Sequence, residues 1–310
     1  MTSKIKTIDV LPMVVMGSLF VLINCLALLV SGPFKEAGAV AFIDATNPLN
    51  LVEFFLILAV FTAAILLIAK YWKKDVIQWI ILVATAILCF YVFFLLLNII
   101  LAESWALGLS LVAAAVLLGL LARFPEWYII DATGIITSVG AIAMLGISLS
   151  VLLVIILLVC MAVYDAISVY KTKHMIDLAD TLIDLKLPIL FVIPKTRHYS
   201  LLDDKKSLKQ KLSEGEKREA FFLGTGDVVI PGILAAASYH STPNGLGVAL
   251  SVVAGTLAGF AVLMTFVLKG KPQAGLPFLC PGAIIGYLVS SLVLTGEFAG
   301  LSLLIPAFLI

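Results

Sequence analysis

The sequence predicts an all-α polytopic membrane protein of nine transmembrane helices, and three observations carry that prediction. Of the 310 residues 62% are hydrophobic and 13% charged, with a mean hydropathy of +1.18, a composition outside the range of soluble domains. Apolar runs of about 20 residues, the length that crosses a bilayer as helix, recur along the whole chain. The basic residues alternate sides: with the N-terminus cytoplasmic, 19 of the 20 Lys and Arg fall in cytoplasmic segments, and local Lys/Arg bias sets orientation. An odd span count then leaves the C-terminus outside. The net charge of +1 hides this asymmetry, and nothing in the chain suggests a nucleic-acid partner.

The nine runs are Val10–Val30, Leu51–Ala69, Val76–Leu101, Trp105–Ala122, Tyr128–Leu149, Val151–Tyr170, Ala220–Tyr239, Val248–Leu268 and Pro281–Leu303. The first follows a short basic lead, Lys4 and Lys6, but is longer than a signal-peptide core and lacks a cleavage signature, so it reads as a retained helix. Cys25, Cys89, Cys160 and Cys280 lie in or beside apolar runs without pairing or metal-ligand spacing and read as packing residues.

One long hydrophilic segment, Lys171–Glu219, divides the chain into a six-helix part, 1–170, a cytoplasmic loop, 171–219, and a three-helix part, 220–310. Within the loop, His174–Lys186 has the pattern of an amphipathic interfacial helix. Leu187–Ile193 suits a strand or a buried extended segment, and Arg197–Arg218 is charged.

Two acids stand inside apolar runs, Asp165 and Asp227. An ionised carboxylate in hydrocarbon costs several kcal/mol, so such a residue marks function by default. Asp165 lies 6 residues before Lys171 and Asp227 lies 8 after Glu219. At about 1.5 Å per residue both sit roughly 10 Å below the cytoplasmic boundary on consecutive antiparallel helices. Paired carboxylates share a proton, which supplies a base to activate water and an acid to protonate a leaving amide. Around the second acid, Gly224, three residues earlier, is expected on the same helical face and to admit a neighbouring helix. Pro231 withholds the backbone bond that the Asp227 carbonyl would accept and Gly232 loosens the helix further, so the helix is expected to bend or open at that level.

Tyr164-Asp165, Gly224-Thr225-Gly226-Asp227 and Gln273-Ala274-Gly275-Leu276-Pro277 resemble the three motifs of the presenilin and signal peptide peptidase family of intramembrane aspartyl proteases. The nine-span plan extends the resemblance over the chain. It implies that Asp165 and Asp227 are the catalytic acids, supported by Tyr164, Gly224, Gly226 and Pro231. It also implies that Ala274, Gly275, Leu276 and Pro277, in place of the family's Pro-Ala-Leu, position substrate. The wording around Asp227 is similar to signal peptide peptidase, whereas the cytoplasmic N-terminus matches presenilin. Orientation outweighs wording and implies substrates that cross with their N-terminus outside. Compact size suggests a microbial, archaeal member of the cytoplasmic membrane, uncleaved in its loop and working without partner subunits. Leu187–Ile193 either donates a strand to unwound substrate backbone or is buried under the helices.

Other chemistries fit less well. No H-E-x-x-H motif is present, no metal or organic cofactor is implied, and His174, His198 and His240 are not placed to pair with a membrane serine. A proton- or cation-conducting transporter using the same two acids is the rival reading. Such proteins favour matched interruptions in two halves, where this chain divides six plus three. A scaffold would leave both acids unexplained. Asp131 is expected near the interface as a snorkelling or capping residue, and Glu53 lies at the opposite face. The sequence thus reads as a multi-pass endopeptidase that hydrolyses transmembrane segments of membrane-protein substrates in the lipid bilayer.

Overall fold

The computed structural model describes residues 7–71, 74–172, 187–195, 220–267, 273–298 and 300–301. Among them the chain forms nine α-helices and one pair of strands. In order these are α1 Thr7–Glu36, α2 Leu49–Tyr71, α3 Lys74–Asn98, α4 Glu103–Arg123, α5 Trp127–Ser148 and α6 Val151–Ile167, which continues into a π-helical turn, Ser168–Thr172. Then come β1 Leu190–Pro194, β2 Ala220–Gly224, α7 Thr225–Ser241, α8 Gly245–Val267 and α9 Leu276–Thr295. The expected amphipathic segment 174–186 lies outside the described residues.

Over their described residues seven of these helices are long and apolar enough to cross a membrane, and α2 spans 23 residues. The remaining helix, α7, has 17 residues, because Ala220–Gly224, expected as the opening of span seven, is strand β2. Apolarity alone does not separate a buried strand from a helix. Here Phe221 and Phe222 favour the extended form, and β1 supplies the ladder partners that the β2 backbone requires. Span nine also departs from expectation. Its helix begins at Leu276, so Pro277 lies in the first turn and Pro281 inside the helix. Proline is tolerated in a first turn, where backbone N–H groups have no helical partner. The helix stops at Gly296, whose φ of 76° is left-handed and whose N–H donates to the Leu292 carbonyl at 3.1 Å, a glycine C-terminal stop.

The described chain packs as two units that are not consecutive in sequence. One comprises Pro48–Gly140 and Ile176–Thr225, with a core of Leu82, Leu121, Ile130, Leu187, Val192 and Ala220. Its strands pair antiparallel from Leu190↔Gly224 to Pro194↔Ala220. The expected extended segment 187–193 is therefore strand from Leu190, and it pairs within the chain. The pairing continues one residue further, where Thr225 donates both its N–H and its hydroxyl to the Ile189 carbonyl at 3.1 Å. Fully buried Phe191 lies over Gly134, where a Cβ would stand 2.8 Å from the ring. Of the two roles expected for Asp131, the structure shows the capping one: it is half-buried and its Oδ1 accepts the Val192 N–H at 2.7 Å. It caps a strand rather than reaching for water, because a ladder donor outside the β2 pairing needs an acceptor.

The other unit comprises Met1–Asn47, Ala141–Met175 and Gly226–Ile310. Its tightest seam joins α8 to α9 in antiparallel register. A Cβ on Gly255 would overlap the Gly282 carbonyl, one on Gly259 the Phe278 carbonyl, and one on Gly286 the Ser251 carbonyl. Two G-x-x-x-G runs, Gly255–Gly259 and Gly282–Gly286, thus face each other, the small-residue route by which membrane helices approach closely. Helix α9 packs also on α6, and α1 on α8. The loop after α1 is tied down where Ala41 N–H donates to Ser148 Oγ at 2.7 Å and Ser150 N–H to the Ala45 carbonyl at 2.8 Å.

Candidate active site

Asp165 lies near the end of α6, three residues before the π turn, and Asp227 lies in the first turn of α7. Both are half-buried. The segment between α8 and α9 meets both. Leu276, the first residue of α9, donates its N–H to Asp165 Oδ2 at 3.1 Å, and the Gly275 backbone also bonds Asp165. That N–H is one of the donors a helix start leaves unsatisfied, and a carboxylate is the group such an end favours. Asp227 approaches Gly275 so closely that a Cβ there would stand 2.9 Å from its carboxyl carbon and both oxygens. The charge of Asp165 acts on Asp227. One turn along α9 from Leu276, Cys280 is fully buried.

The other expected site residues divide. Ala274 and Leu276 are buried, at 0% and 6% exposure, with Gly275 between them. Tyr164 is 63% exposed and points away from the helical core. Gly226 has open space where a Cβ would be, so it leaves room directly beside Asp227. Gly224 requires a correction. It ends strand β2 opposite Leu190 and so is not one helical turn ahead of Asp227, because extended backbone carries it along the ladder. Pro231 is inside α7, where it denies the Asp227 carbonyl its helical partner as expected. Gly232 serves packing as well: a Cβ there would stand 2.7 Å from Ile142 and 2.8 Å from Asn24 Oδ1.

His240 also requires a correction, since its Nε2 lies 2.9 Å from Ser31 Oγ. This is not a nucleophilic pair. The Ser31 hydroxyl donates to the Leu28 carbonyl at 2.8 Å, so the histidine donates to the serine, opposite to the proton flow that activates a nucleophile. Ser31 is fully buried. No cluster of His, Cys, Asp or Glu fit to hold a metal occurs among the described residues.

Sequence reasoning missed Tyr170, whose hydroxyl donates to Gln273 Oε1 at 2.7 Å. It also missed the α8/α9 seam, which the four-residue glycine spacing could have revealed.

A family model described as "Signal-peptide peptidase, presenilin aspartyl protease" matches residues 17–296. Two solved structures are similar, each described as a presenilin family intramembrane aspartate protease, one in a C222 and one in a P2 crystal form. The first is 30% identical with a TM-score of 0.66, covering 92% of this chain and 99% of that one. The second is 32% identical with a TM-score of 0.66, covering 90% and 96%. The comparison with curated proteins finds no match. The match over residues 17–296 and the likeness to both structures place this multi-pass integral membrane protein in the signal-peptide peptidase and presenilin family of intramembrane aspartyl proteases.

Proposed function

We propose that Asp165 and Asp227 are the catalytic acids and that the chain hydrolyses peptide bonds within transmembrane segments of membrane-protein substrates. The observation that carries this reading is the convergence of both carboxylates on the Gly275–Leu276 backbone. One acid, ionised, takes a proton from water as that water attacks the scissile carbonyl, and the other, protonated, donates to the departing amide nitrogen. The proton count closes, because the second acid's proton is replaced by the first's between turnovers. The six-helix part, 1–170, brings the first acid, the loop 171–219 carries β1, and 220–310 brings the second acid and the Ala274–Pro277 segment. The N-terminus is cytoplasmic and the C-terminus outside, which orients the site for substrates whose N-terminus is outside. Tyr164, at the lipid-facing side of α6, and the space beside Gly226 suit lateral entry of an apolar segment. The chain works without partner subunits or cofactor, and its loop stays uncleaved.

The test is incubation of the purified protein in liposomes with a single-span peptide, with products mapped by mass spectrometry and hydroxylamine present in a parallel reaction. The expected result is cleavage inside the apolar segment with hydrolysis products alone. Cleavage only in the flanks would remove the intramembrane reading, and a hydroxamate product would reveal a covalent acyl-enzyme instead of water attack.

Gly275 supplies a further prediction. The family pattern has alanine where this chain has Gly275, and a Cβ there forces the Asp227 carboxylate back from 2.9 Å towards the ~3.5 Å of ordinary contact. A 1 Å misplacement costs about 100-fold. Gly275→Ala is therefore expected to lower kcat roughly tenfold with an unchanged melting temperature. Wild-type kcat in that variant would show that Asp227 has a second productive placement.

A further inference from the structure

We propose that Tyr170 is a positioning residue for the two acids, acting through Gln273 to hold segment 273–276 against Asp165. This inference rests on the two-acid reading and extends it to a residue that lies outside all three motifs. The geometry has two connections between the same pair of segments. Leu276 N–H donates to Asp165 Oδ2 at 3.1 Å, and five residues further along the α6 strand of chain Tyr170 Oη donates to Gln273 Oε1 at 2.7 Å. Together they clamp the residues that place Gly275 behind Asp227. Gln273 is the third residue ahead of Leu276, so its side chain fixes the segment at its other end.

The π turn at Ser168–Thr172 gives a second, independent observation. In a regular α-helix five residues rotate by about 500°, which would leave Tyr170 roughly 140° around from Asp165. A π turn takes more residues per revolution and brings the tyrosine back towards the face of the acid. Single π turns are rare and concentrate at functional sites. In this chain the turn begins three residues after Asp165 and contains the one tyrosine that bonds Gln273, so the unusual backbone and the unusual contact have one explanation.

Tyr170→Phe keeps the ring and removes the donor, and Gln273→Met keeps the length and removes the acceptor. The full-length protein in liposomes, cleaving a single-span peptide, is measured for kcat, KM and melting temperature, alongside Asp165→Asn. Each single variant is expected to lose kcat by about 3- to 10-fold, the worth of one hydrogen bond, with KM and melting temperature unchanged. The double variant is expected to match the singles, because the two residues form one contact. Wild-type kcat in Tyr170→Phe, multiplicative losses in the double variant, or a loss that tracks a lowered melting temperature would each overturn the proposal. If Asp165→Asn retains the wild-type rate, the two-acid reading has failed and the inference falls with it. If that variant is inactive while Tyr170→Phe is wild-type, only the clasp is lost.

Discussion

Asp165→Asn and Asp227→Asn are each expected to reduce cleavage of a membrane-spanning peptide by at least about 10²- to 10⁴-fold, the usual worth of a general acid or base. The double variant is expected to be little worse than either single one, since residues that act as a unit give non-additive losses. Asparagine nearly matches the shape of aspartate, and at position 165 its oxygen still accepts the Leu276 N–H that Asp165 Oδ2 now holds at 3.1 Å. Packing is thus preserved while proton exchange is lost. Each variant also removes one of two interacting carboxyl groups, which relieves a cost borne for function. The melting temperature is therefore expected to stay level or rise as activity disappears. Falling activity with a falling melting temperature would make the acid a structural hydrogen-bonder. Retained cleavage with altered proton flux through the same liposomes would move both residues into a conduction pathway.

The two acids were legible in the sequence because hydrocarbon makes a charge conspicuous, whereas the equal depth read from Lys171 and Glu219 assumed helix throughout, and five of the residues ahead of Asp227, Ala220–Gly224, are strand, in which each residue rises about 3.3 Å rather than about 1.5 Å. The nine helices of the described residues were legible for the same reason, since a bilayer favours apolar helix. What stayed hidden depends on contacts between distant positions. The capping role of Asp131 was legible but its partner was not, because Val192 N–H lies 61 residues away. Residues 220–224 looked like the start of a helix because a buried strand and a buried helix are equally apolar, and the choice is made by pairing with Leu190–Pro194. Tyr170 carried no signal, because an α-helical reading of α6 turns it away from Asp165 and only the π turn brings it to Gln273. Gly275 was legible as a departure from the family pattern, but its effect was not. That effect lies in the space behind Asp227, which a sequence motif does not describe.

Gly282→Leu is expected to prevent α8 and α9 from closing, and Gly282→Ala to cost about 1–3 kcal/mol, the range for overpacking a close contact. The reason is backbone: even the first carbon of a side chain at 282 overlaps the Gly255 carbonyl and lies 3.3 Å from Gly259 Cα. Neither neighbour is a side chain that can rotate aside. In a membrane the seam depends on such contact, because lipid tails are as apolar as leucine and burial alone does not draw helices together. The damage should reach the acids, since residues 276 and 282 both lie in the first two turns of α9 and Leu276 N–H is bonded to Asp165. Gly282→Ala is thus expected to lose both melting temperature and cleavage, unlike Tyr170→Phe, which loses cleavage alone. Gly108 and Gly119 in α4 provide the contrast, because a Cβ at either meets nothing within 4 Å. Alanine at either position should leave stability level or raise it by up to about 1 kcal/mol, through the entropy removed from the unfolded chain. If Gly282→Ala melts with the wild type while Gly119→Ala does not, the α8/α9 seam is not held by backbone contact.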